Sequence, residues 1–289
     1  MRDLAADAEL KFFSLNTGSV RAHGDFLTIL EAARRHGISI VSPWREQVAA
    51  VGLDRAARAL RDGGFTLSGY CRAGLFPTDA AHRDEVRDDN HRAVDEAATL
   101  AAPCLVVVVG GLPQFARPGS TPSKDIAGSR AEVRDGLAEL LEYAAGVGVK
   151  LAIEPLHPMT AAERSCLNTL RQALDLCDAL DPDRSKGLGL TVDVYHIWWD
   201  FEVHEQIRRI GRHRLHAFHI SDWLAPTVDL LAGRGMMGDG VIEIKKLRSA
   251  VEAEGFDGAC EVEVLSTAWG KRPIDEFLAT AIERYRTVC

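Results

Sequence analysis

The chain has no CxxC pair, no glycine-rich phosphate turn after its first apolar run, no excess of basic residues and no apolar stretch of membrane length. Each absence removes a class of protein. Its six cysteines, at positions 71, 104, 166, 177, 260 and 289, are widely scattered, and a chain of 289 residues needs no disulfide framework, so they read as reduced thiols. Cys104 and Cys260 open apolar runs and read as small buried hydrophobes. A formal net charge of -8 offers no field for phosphate backbones or anionic lipid, which argues against nucleic-acid and membrane partners. The opening MRDLAADAEL has neither the basic flank nor the apolar stretch of a secretory signal, and no window reaches the roughly 18 apolar residues of a membrane span. A soluble cytoplasmic protein is the expectation.

What the sequence does contain is alternation. Hydrophobic residues make up 46% and charged residues 26%, enough apolar surface for one large core. Eight short apolar runs, 11–16, 39–44, 66–71, 104–109, 150–155, 189–194, 215–220 and 259–265, are separated by segments of helical period. In DFLTILEAARRHG, Phe26, Ile29, Leu30 and Ala33 share one helical face and Gly37 reads as the stop. Comparable helices are expected over 54–62, 82–101, 130–145, 167–179, 202–210, 245–255 and 273–285. Eight strand–helix pairs predict an α/β fold, a (β/α)8 TIM barrel forming a single domain over residues 1–289. The competing doubly wound sheet usually announces itself by GxGxxG after the first strand, where this chain has NTGSVRAHG. Two connections are unusually long, GGLPQFARPGSTPSKDIAG and WLAPTVDLLAGRGMMGDG, and both leave the C-terminal ends of strands, the catalytic face of such barrels.

Ionisable groups gather at the ends of the last four runs: Glu154 in LAIEPLHP, Asp193 in GLGLTVDVYH, His219 in LHAFHISDW and Glu263 in ACEVEVLS. Strand alternation puts them on the same face as Ala152, Thr191, Ala217 and Glu261, small or polar residues that suit a barrel interior. Three carboxylates and an imidazole with no obvious cationic partner resist joint burial unless a divalent ion holds them. The oxygen-rich set favours Mn²⁺, with Mg²⁺, Co²⁺ and Zn²⁺ as alternatives, one ion per chain. Glu261 faces the same way about 6.6 Å deeper, so it remains open as the ligand in place of Glu263 or as a residue beneath the metal.

The stretches LAIEPLHP, GLTVDVYHIWWD, HAFHISDW, GRGMMGDGVIEI and EGFDGACEVEV resemble the xylose isomerase-like barrels. That family includes keto-sugar epimerases, inosose dehydratases and isomerases, and C-glycoside deglycosidase subunits. The resemblance covers nearly the whole chain and implies that Glu154, Asp193, His219 and Glu263 are the metal ligands. It further implies a small-molecule sugar substrate and an isomerase or epimerase reaction, with Glu154 and Glu263 as the catalytic carboxylates that move a proton beside a metal-bound carbonyl through an enediolate. His157 and His196, each three residues beyond a ligand, are expected to act in catalysis or hold a substrate oxygen. Asp222, Arg234, Trp44 and Trp198 are further expected to contact substrate. Epimerases of this family usually carry another glutamate where this chain has Thr160, a departure for which His157 is the candidate substitute.

Trp44, Trp198, Trp199, Trp223 and Trp269 all follow apolar runs, and as a set they imply a pocket drier than a phosphosugar needs. The alternative chemistry is a lyase on 3-oxo-glycosides at the same residues. Relatives commonly form homo-oligomers, and the deglycosidases pair the barrel with a small β-rich subunit. An abasic-site endonuclease would need a basic groove and further metal ligands, which the acidic balance disfavours.

Overall fold

Residues 1–289 are described by a computed structural model. All eight apolar runs become strand. The strands are β1 (Phe13–Asn16), β2 (Ile40–Ser42), β3 (Thr66–Leu67), β4 (Tyr70–Gly74), β5 (Leu105–Val108), β6 (Leu151–Ile153), β7 (Leu188–Asp193), β8 (Leu215–Ile220) and β9 (Cys260–Val262). The third run supplies both β3 and β4, because the chain changes partner at Gly69. Ser68 N–H still bonds back to Val41 O on β2, whereas Tyr70 N–H bonds to Cys104 O at the foot of β5.

Every ladder is parallel, in the order β3-β2-β1-β9-β8-β7-β6-β5-β4. The two ends of that order are consecutive in the chain, and a hydrogen bond of 3.0 Å from Cys71 N–H to Pro43 O, next to a bridge between Trp44 and Cys71, closes the ring. The result is a TIM barrel, with a helix following each strand segment on the outside.

The helices begin and end where local chemistry directs. Asp25 caps the helix Phe26–Arg35 by accepting from Thr28 N–H at 2.9 Å; Phe26, Ile29, Leu30 and Ala33 are buried, and Gly37 turns the chain at φ +73°. The fourth expected helix starts at Ile126 rather than 130 because Asp125 caps it through Gly128 N–H, and it ends at Gly148 with φ +77°. Three short helices, Arg45–Val51, Pro113–Ala116 and Val194–Ile197, have no counterpart among the expected ones.

Apolar side chains between strands and helices form the main core. The barrel lumen is different: Cys104, Ala152 and Ala217 make a small apolar plug, with the polar Ser14, Thr191 and Glu261 buried around it. All six cysteines are buried and unpaired. No helix is long and apolar enough to cross a membrane.

Candidate metal centre

Four strand ends deliver the chemistry to one spot. Glu154 follows β6, Asp193 ends β7, His219 lies near the end of β8, and Glu263 follows β9. One candidate ligand atom from each lies within 4.8 Å of the others, and all four residues are buried. Register explains the convergence: Asp193 pairs with His219 and His219 with Glu261 across parallel neighbours, so groups at equal height on adjacent strands meet at the same end of the barrel.

The contacts within this cluster are close but poorly directed. His219 Nδ1 lies 3.1 Å from Glu154 Oε1 and 3.5 Å from Glu263 Oε2. Yet neither His219 ring nitrogen nor Glu154 Oε1 has a partner at hydrogen-bonding angles. Buried charged atoms without directed partners are expensive, and a cation accepting several donors at once removes that cost. Three carboxylates and one imidazole are a donor set that suits a divalent ion.

Glu261 sits deeper and is otherwise engaged. It accepts from Asn16 Nδ2 at 2.7 Å and Ser68 Oγ at 2.8 Å, and its Oε1 lies 3.4 Å from His219 Nε2. That places it behind the imidazole, turning Nδ1 toward Glu154 and Glu263. Asn16 also donates to Glu263 Oε1 at 3.0 Å and so ties the two glutamates together. Asn16 is not among the residues expected from the sequence, although it is a polar group at the end of an apolar run.

The expectation that no cation faces this cluster is corrected by Arg234. Its side chain is only 4% exposed, and Nη1 lies 2.8 Å from Asp193 Oδ2 and 3.1 Å from Glu263 Oε2. The long loop that carries it folds back through a bridge between Gly235 and Asp222, which inserts the guanidinium instead of leaving it solvated. Four buried carboxylates thus face one guanidinium and one imidazole. Burial pulls the His219 imidazole down, but Glu261, Glu154 and Glu263 outweigh it and hold it well above its ordinary value. Burial, reinforced by Glu263 and Asp193 and opposed by His219, pushes Glu154 up.

His196 lines the cleft above the cluster. Its Nδ1 accepts from His157 N–H at 3.1 Å, so the neutral ring carries its proton on Nε2. Burial, with Arg234 acting against the pull of Asp193, holds its pKa down at about 3 and keeps it neutral. Nε2 lies 3.1 Å from Arg234 Nη2 and 3.7 Å from Asp193 Oδ2. Two donors therefore point at each other, a contact that an oxygen acceptor would relieve.

The remaining expected residues divide. Trp44 lines the cleft; its indole packs against Gly18, where a Cβ would fall 2.5 Å from the ring. His157 stacks on Trp223 at 4.5 Å, packs edge-on to Trp199 at 5.8 Å, and accepts from Met159 N–H, so it stands behind His196 rather than in the cleft. Trp198 packs on Trp223 in the same aromatic wall, while Trp269 packs on Phe277 elsewhere. Asp222 does not face the cleft: it is 1% exposed, and its oxygens accept from the backbone N–H groups of Trp223, Gly238, Gly240 and Ile242. It is the staple that holds the Arg234 loop. Thr160 lines the cleft where the related epimerases carry a glutamate.

The notion of a dry, tryptophan-lined pocket is also corrected. Trp44 is the one tryptophan on the cleft wall, and besides it, Glu154, His196 and Glu263 the cleft is lined by Arg72, Arg164 and Arg234. Arg72 and Arg164 escaped the sequence analysis. The signal for Arg72 is a charge inside a strand, YCRAG; Arg164 carries none.

A family model described as the xylose isomerase-like TIM barrel matches residues 30–286. The chain belongs to that family. It is similar to the inosose isomerase of Bacillus velezensis, 27% identical over 168 residues, which cover 57% of this chain and 56% of that protein. The match thus spans little more than half of the curated relative. The solved structure of protein SMc04130 from Sinorhizobium meliloti 1021 is 50% identical, with a TM-score of 0.91 over 97% of this chain and 99% of that one. The IOLI protein, crystallised with a zinc atom bound, is 20% identical with a TM-score of 0.77 over 94% and 95% of the two chains, a likeness of fold.

Proposed function

We propose that this protein is a divalent-metal-dependent isomerase or epimerase of a keto-sugar or sugar derivative, with Glu154, Asp193, His219 and Glu263 holding the ion. The observation that carries the reading is the meeting of those four groups within 4.8 Å at the C-terminal mouth of the barrel, with Glu154 Oε1 and His219 Nδ1 lacking directed partners. The isomerase activity of the Bacillus velezensis relative supports the reaction class, and the zinc atom in the IOLI protein supports an ion on this fold. When bound, a divalent ion supplies Lewis acidity that makes a proton next to a substrate carbonyl easier to remove.

The chain's own residues do the rest. Glu154 is the freer carboxylate: Glu263 is held at Oε1 by Asn16 and at Oε2 by Arg234, whereas Glu154 Oε1 has no directed partner. Glu154 therefore removes the C–H proton, and Glu263, the other glutamate lining the cleft, is placed to exchange a proton with the substrate. His196 Nε2–H and Arg234 Nη2 converge on the position of a substrate oxygen, and their donors stabilise charge that develops there. The wall of Trp223, Trp199 and His157 fixes His196 from behind.

Incubating the Mn²⁺-loaded protein with ketoses in D₂O tests the reading, with Zn²⁺, Mg²⁺ and Co²⁺ compared in parallel. Deuterium should enter the carbon beside the carbonyl with no group lost, and Glu154→Gln should reduce exchange by about 10²- to 10⁴-fold. Loss of water or an aglycone would assign elimination at the same site. Metal-independent exchange, or a fully active Glu154→Gln variant, would overturn the mechanism.

A further inference from the structure

Two arginines in the cleft have nothing to bind. Arg72 projects from β4, and Arg164 comes from the turn after Pro158–Thr160, where its N–H bonds to Thr160 O. Both line the same cleft as Glu154 and Arg234, and both are partly buried. Neither guanidinium makes an ion pair or a hydrogen bond, and Arg72 Nε is buried without a partner. This is not for want of carboxylates, because the chain has 42 acidic side chains against 34 basic ones.

The nearest alternatives are occupied. Arg72 also borders a neighbouring groove, but Asp89 and Glu96 there are already held by Arg45 at 3.1 and 2.7 Å. Arg234 is engaged with Asp193 and Glu263. Burial, with Arg72 and Arg234 adding as like charges and outweighing the attraction of Glu154, depresses the pKa of Arg164. Two cations held near each other in a half-buried cleft, with donors unused, are costly unless an anion enters between them.

We infer that the substrate carries an anionic group, a carboxylate or a phosphate, and that Arg72 and Arg164 form its subsite at the mouth of the cleft. This deepens the proposed function: the carbonyl end of the sugar reaches Glu154 and Glu263 while the charged end is held by the two arginines. A guanidinium fork matches either anion by paired N–H donors, which a lone sugar hydroxyl would use only in part.

The test is isothermal titration calorimetry of the full chain in chelator, so that it depends neither on metal nor on turnover. Inorganic phosphate, D-glucuronate and D-glucose are titrated separately. At least one anion should bind at least about tenfold tighter than D-glucose, and Arg72→Met and Arg164→Met should each weaken it by about ten- to a hundredfold. Arg72→Lys and Arg164→Lys should recover part of the loss, and melting curves should show that the variants are folded. Preference for phosphate identifies a phosphate monoester as the charged end; preference for glucuronate identifies a sugar acid. D-glucose binding as tightly as both anions, or anion affinity unchanged in both methionine variants, would overturn the inference. An inactive enzyme in the deuterium-exchange experiment would leave this titration unaffected.

Discussion

Arg234→Met separates the internal cation from the ion we propose. Arg234 bridges Asp193 and Glu263 at 2.8 and 3.1 Å, and all three side chains are at most 4% exposed. Removing one member of a buried pair leaves uncompensated charge and costs about 3–5 kcal/mol. For a chain of this length each kcal/mol moves the melting temperature by roughly 2 °C, so metal-free Arg234→Met should melt about 6–10 °C below the wild type. Adding Mn²⁺ or Zn²⁺ should recover much of that loss, because a divalent charge then meets the same carboxylates. With the competing guanidinium gone, metal affinity should rise at least about tenfold, close to 1.4 kcal/mol. Differential scanning calorimetry with and without metal, together with metal titration, reads both effects. Equal melting of metal-free wild type and variant, or the same metal-induced gain in both, would refute the argument that Arg234 and the ion share one set of carboxylates.

Metal uptake should release protons, because Glu154 and His219 are both pushed up in the metal-free site; apparent affinity should therefore fall as pH falls, by about tenfold per unit per displaced proton, and the binding heat should depend on buffer ionisation. His216 is held down at about 4 by burial, with Lys150 and Arg214 adding, and its Nε2 lies 3.1 Å from Gly187 O. The unfolded chain takes up that proton below about 6.5 while the folded chain does not, so stability drops as pH falls from 6.5 toward 4, and His216→Gln should flatten that slope in urea denaturation. Asp222→Ala leaves the amides of Gly238, Gly240 and Ile242 without their carboxylate acceptor, the last of them buried; it should cost about 1–3 kcal/mol and speed proteolytic cleavage between residues 224 and 241, whereas unchanged protease resistance would count against the staple.

How much of this was legible in the sequence depends on the range over which each signal acts. Apolar runs and helical periods are local, so every run named from the sequence became strand; only the change of partner at Gly69, which depends on neighbours at Val41 and Cys104, went unseen. Helix starts moved where a cap lay outside the periodic stretch, as with Asp125. Glu154, Asp193, His219 and Glu263 were visible because a charge at the end of a buried strand is conspicuous, and parallel register then brings equal heights together. Asp222 and Arg234 were harder because a position in a loop does not say where a side chain turns. The glycines of GRGMMGDG supply the amides that draw the Asp222 carboxylate inward, and the same fold-back inserts Arg234 among the acids.

The arginines also change what the cluster means. Charge convergence alone argued for a metal because no cation was evident; with Arg234 present, the carboxylates are partly neutralised without one. What still calls for an ion is directional: a guanidinium satisfies Asp193 and Glu263 but leaves Glu154 Oε1 and His219 Nδ1 without aligned partners. A spherical cation has no preferred donor direction and can accept all four at once, which an arginine fork cannot. Arg234 therefore neutralises part of the carboxylate charge, and the unaligned pair of Glu154 Oε1 and His219 Nδ1 is what the proposed ion would satisfy.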